Sequence, residues 1–139
     1  MTVIPRKCVD LRIPMLPEME LAATKTAEAV AVFAGLSEDQ TEEVKLALIE
    51  ACINAFEHSK SEDQTVLINF DIQDDGITIQ ISDSGRGFDP DEARERIAAR
   101  RREGKHTRGW GLKIIEELMD DVIVESGDLG TRITMVKKR

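Results

Sequence analysis

Glu50, Asn54 and His58 recur at i, i+4 and i+8, which at about 100° per residue lines them along one stripe of a helix. Nearly every other position between 46 and 56 is apolar, so the helix that carries them is a buried one. A buried, unpaired carboxylate costs several kcal/mol and an unsatisfied amide roughly 1–3 kcal/mol, so something must meet that stripe. A bound cation with its waters, or a cleft, would do so. The Asn54 amide offers a neutral oxygen suited to Mg2+, and Glu50 can take a proton. The structural alternative has Glu50 and Asn54 bonded to neighbouring loops, and His58 capping or orienting the helix end.

Two glycine loops follow. In Asp83-Ser84-Gly85-Arg86-Gly87-Phe88 the aspartate stands at the end of a strand pattern, where a carboxylate can accept a hydrogen bond from an exocyclic amine. Gly85 and Gly87 let the backbone turn sharply and approach a ligand closely, although a plain glycine turn explains them as well. Gly109-Trp110-Gly111-Leu112 opens a helical pattern, and free N–H groups at a helix start form an anion site suited to phosphates. Neither the Gly-x-x-x-x-Gly-Lys-Ser/Thr loop nor the protein-kinase catalytic set occurs.

These residues need elements to hold them. Residues 8–14 alternate weakly and end at Pro14, as a short edge strand does. A run rich in Ala, Glu and Met from about Glu18 to Ala34 predicts a helix stopped by Gly35. Ser37-Glu38-Asp39-Gln40 has capping-box form and opens a second helix over 38–58. Strands at 65–72 and 77–82 are joined by Asp74-Asp75-Gly76, a hairpin signal. The chain is then polar and arginine-rich over 84–108, helical over 111–119, and extended at 122–125 and 131–136. Hairpins without βαβ alternation predict one α/β domain over 1–139: a two-layer sandwich whose mostly antiparallel mixed sheet carries helices on one face.

Composition narrows the function. The 139 residues are 41% hydrophobic and 33% charged, which fits a folded soluble domain, and with 4% aromatics and no Tyr the core must be aliphatic. A net charge of −8 argues against non-specific nucleic-acid or anionic-membrane binding and would suit a basic protein partner. Cys8 and Cys52 have no metal-ligand spacing, and neither a signal peptide nor a membrane span is apparent, so a cytoplasmic protein with reduced thiols is expected.

The ordered set Glu50-x-x-x-Asn54, Asp83-x-Gly85-x-Gly87, Gly109-x-Gly111 and Gly130-Thr131 resembles the GHKL ATPase superfamily of gyrase, Hsp90, histidine kinases and MutL. The stretch Gly111–Val122 and the compact length are most similar to the bacterial anti-sigma factor serine/threonine kinases of partner-switching systems. The resemblance implies the Bergerat ATP-binding fold and MgATP as cofactor. It makes Glu50 the general base toward a substrate serine or threonine, and Asn54 the Mg2+ ligand. Asp83 would accept from the adenine amine with support from Gly87 and Thr131. Gly85, Gly109, Gly111 and Leu112 would line the nucleotide, with His58, Thr107 and Trp110 around it. Trp110 itself reads as a packing or lid contact. Residues 89–108 would be the ATP lid, begun by a helical turn at Asp89-Pro90-Asp91-Glu92. Its basic run is either a solvated face or a source of a γ-phosphate ligand, for which Arg108 is the candidate. Here the sequence departs from the family, whose arginine stands one place earlier, at Thr107.

Two functions compete on this reading. One is a kinase that phosphorylates a STAS-domain anti-sigma antagonist and sequesters a sigma factor. The other is a catalytically weak, nucleotide-dependent switch module that binds a phosphatase or another regulator. A histidine kinase is not expected without a preceding phosphoacceptor helix, nor a gyrase-like or MutL-like ATPase without a transducer domain. The resemblance also implies a homodimer, formed through the edge strand at 8–14.

Overall fold

The computed structural model of the chain describes residues 7–58, 64–83, 109–127 and 130–139. Along the sequence these form β1 (Cys8–Pro14), α1 (Glu20–Phe33), α2 (Glu38–His58), β2 (Thr65–Gln73), β3 (Gly76–Asp83), α3 (Gly109–Leu118), β4 (Asp121–Gly127) and β5 (Gly130–Lys138). Gly85, Gly87, the expected lid at 89–108 with its helical start, Thr107 and Arg108 lie outside the described residues. So do the side chains of His58 and Trp110.

Local chemistry sets the helix ends. Ser37 Oγ accepts from Gln40 N at 3.1 Å while Gln40 Oε1 accepts from Ser37 N at 2.9 Å, the reciprocal capping box that starts α2. At the end of α1, Gly35 takes φ +83. Leu36 N then donates to Ala31 O and Gly35 N to Val32 O, a Schellman stop that only an unhindered residue adopts without strain. The start of α1 falls two residues later than the pattern predicts, because Glu18 takes φ 75 after Pro17 and breaks the helical path.

The sheet has the order β1-β2-β3-β5-β4, and every pairing among the described residues is antiparallel. The expected mixed character is therefore absent from these strands. Alternation sends Val66, Ile68, Phe70, Ile77, Ile79, Ile81, Ile133 and Met135 to one face, where all are buried. Onto it pack the apolar stripes of α2 (Val44, Ala47, Leu48, Ala51, Cys52) and α3 (Leu112, Ile115), with α1 alongside α2. The opposite face is polar: Asn69 Nδ2 donates to Asp10 Oδ1 at 2.6 Å across the β1–β2 pair.

The β2–β3 hairpin is pinned from below. Gly76 has φ +152, and a Cβ there would collide with the Lys137 carbonyl oxygen and stand 2.8 Å from Lys138 Cα. Both neighbours are backbone, so neither can swing away. Gly76→Ala is expected to destabilise the fold by about 2–3 kcal/mol, read as a lower urea midpoint with an unchanged m-value.

Candidate functional site

β3 ends on Asp83, whose side chain continues the inward row of Ile77, Ile79 and Ile81 and is only 9% exposed. A carboxylate at the end of an apolar row needs donors, and one comes from the neighbouring strand. Thr131 N donates to Asp83 Oδ1 at 3.4 Å, a long hydrogen bond between the end of β3 and the start of β5. Two residues 48 positions apart thus meet at one end of the sheet.

Glu50 and Asn54 lie half-buried on α2, where its buried face gives way to solvent. Which neighbour they face follows from the ion pairs. Lys45 reaches Glu28 of α1 at 3.6 Å, so that edge of α2 belongs to α1. Glu50 and Asn54 are roughly 140° and 180° around the helix from Lys45. Glu43 shares their edge, and its Oε2 meets Lys137 Nζ at 2.7 Å, the same ammonium that donates to Leu118 O at 2.6 Å. The Glu50–Asn54 edge therefore faces α3.

Direction completes the placement. α2 starts beside the end of β5, where Gln40 Nε2 donates to Lys138 O, and runs toward the sheet end that holds Asp83 and Thr131. α3 runs the other way and finishes at Lys137. From the Glu43–Leu118 junction, Glu50 and Asn54 lie about 10 and 16 Å along α2, while Leu112 and Gly109 lie about 9 and 13 Å back along α3. The start of α3 thus stands beside Glu50 and Asn54, at the Asp83 end of the molecule. Leu112 is 3% exposed, so it offers a ligand its backbone N–H and not its side chain.

A carboxylate that can take a proton, a neutral amide oxygen, a buried carboxylate acceptor and the amides of a helix start are gathered at one end. Their chemistry fits a purine nucleotide with a divalent cation. Among the described residues no three His, Cys, Asp or Glu side chains form a group that could hold a metal ion. Cys52 takes no part: it is fully buried against α1, and burial, with Glu20 nearby, pushes its thiol up to about 12. No helix of the described residues is long and apolar enough to cross a membrane.

No sequence motif marks the Lys137–Glu43 pair. Its signal was the inward phase of β5, where Ile133, Met135 and Lys137 alternate toward the core.

Comparison with known proteins shows the family to which this fold belongs. Residues 13–137 match the family described as the histidine kinase-like ATPase domain. The serine-protein kinase RsbW of Oceanobacillus iheyensis is 34% identical, with 93% of this chain and 85% of the relative covered. RsbW of Bacillus subtilis is 31% identical over 93% of this chain and 84% of its own. Among solved structures, the RsbU and RsbW domains of a Mycobacterium tuberculosis protein superpose with a TM-score of 0.70 at 15% identity. That match covers 96% of this chain but 32% of the longer one, and it speaks to the fold alone. The chain belongs to the histidine kinase-like ATPase family and, within it, to the RsbW serine-protein kinases.

Proposed function

We propose that this kinase transfers the γ-phosphoryl group of MgATP to a serine or threonine of a STAS-domain anti-sigma antagonist, and that it sequesters a sigma factor. The observation that carries the reading is the meeting, at one end of the sheet, of the Glu50–Asn54 edge of α2, the start of α3 and the Asp83–Thr131 pair. ATP would supply the phosphoryl group, and Mg2+ would offset its charge. Asp83 accepts from the adenine amine, with the Thr131 backbone and hydroxyl beside it. Asn54 would give its amide oxygen to the cation, and the amides at 109–112 would donate to phosphate oxygens. Glu50 would take the proton of the attacking hydroxyl as that oxygen bonds to the γ-phosphorus and the bond from phosphorus to the β–γ bridging oxygen breaks, releasing ADP. The work of the protein is positioning and charge neutralisation.

Self-association through β1 belongs to the same reading, since β1 lies at the edge of the sheet. Sedimentation showing only monomer at micromolar concentration would remove that part. The kinase reading is tested with γ-labelled ATP and the cognate STAS-domain antagonist. Label on a serine or threonine of the antagonist is expected. Normal ATP binding without label would favour the nucleotide-dependent switch, the outcome to which the Thr107–Arg108 departure points.

A further inference from the structure

Lys137 is the one buried cation among the described residues, 6% exposed on the inward face of β5. Its ammonium binds three elements together: it belongs to β5, donates to Glu43 Oε2 of α2 at 2.7 Å, and donates to the carbonyl of Leu118, the last residue of α3, at 2.6 Å. A carbonyl in the last turn of a helix has no partner within the helix, and a cation there also complements the negative end of the helix dipole. The connection behind it is equally fixed. Asp120 N donates to Val136 O at 2.9 Å, and Lys138 N to Asp120 Oδ2 at 2.7 Å.

Stability alone does not account for this arrangement, because buried ion pairs are often replaceable by apolar groups at no loss. Direction does. Leu112 and Ile115 hold α3 sideways in the core, yet apolar contact is non-directional and resists sliding along the axis only weakly. A hydrogen-bonded ammonium at the helix end fixes the axial position. α3 has ten residues and is about 15 Å long, so a shift at Leu118 reappears undiminished at Gly109. We propose that Lys137 is a positioning residue for the nucleotide phosphates: by clamping the far end of α3 to α2 and β5, it sets where the amides at 109–112 stand. This rests on the reading that the start of α3 faces those phosphates.

Because only the phosphate end of the ligand meets α3, the variant should separate two affinities. Calorimetric titration of Lys137→Met is expected to show ATP binding about five- to tenfold weaker, while adenosine, held by Asp83 and Thr131, changes by less than about twofold. A merely structural role would weaken both together or neither, and either result overturns the clamp. Wild-type protein that binds adenosine as tightly as ATP would overturn the phosphate reading itself, and the clamp with it. Should Lys137→Met fail to fold, Glu43→Gln serves, since Glu43 is half-exposed and its amide keeps the shape. The same selective loss, smaller in size, is expected there, and an equal loss for ATP and adenosine again refutes the proposal.

Discussion

Glu50→Gln is expected to lower phosphoryl transfer to the antagonist by roughly 10²–10⁴-fold, the span a positioned general base contributes, with ATP affinity within about twofold of wild type. The amide is nearly isosteric and keeps the half-buried position on α2, so neither the helix nor its packing has cause to change. What it loses is the ability to take a proton. A single-turnover measurement separates the two effects: nucleotide bound at the start reports the site, and the rate of label transfer reports the base. Weak binding with an unchanged transfer rate would show that Glu50 holds the nucleotide and does not act on the hydroxyl.

Asp83→Asn carries the second large effect, and it falls on binding. The amide oxygen can keep the hydrogen bond from Thr131 N, but the other oxygen becomes an NH2 donor that meets the adenine amine donor to donor. Losing a charge-assisted bond and burying an unmatched donor costs about 1.5–3 kcal/mol, so ATP affinity should fall roughly 10- to 150-fold. Guanine presents an acceptor where adenine presents its amine, so GTP should gain relative to ATP. Competition titrations with both nucleotides measure this directly. An unchanged preference would place the base elsewhere.

How far these residues could be read from the sequence depends on how local their causes are. The limits of β1 and α2 follow from neighbours in the chain: Pro14 ends the strand, and Ser37 and Gln40 cap the helix reciprocally. The start of α1 was less legible, because the left-handed turn at Glu18 is a conformation that composition does not announce. The family resemblance carried by motif order brought Glu50, Asn54, Asp83 and Thr131 under one expected chemistry. It could not say which edge of α2 faces α3, which is fixed by Glu43 and Lys137 across 94 positions of sequence. The strand read over 131–136 stops short of Lys137, which β5 in fact carries inward, and its partners were not legible at all. Buried charge is settled by tertiary packing, and only the folded chain shows what satisfies it.

Titration of ATP with and without Mg2+, into the wild-type protein and into Asn54→Ala, asks whether the α2 stripe looks onto a metal-bound triphosphate. Mg2+ should tighten ATP binding to the wild type by about tenfold and to Asn54→Ala by less than about twofold, with metal-free affinity the same in both. Equal tightening of the two proteins by Mg2+ would contradict the account, for it would mean that the amide one turn from Glu50 meets no metal.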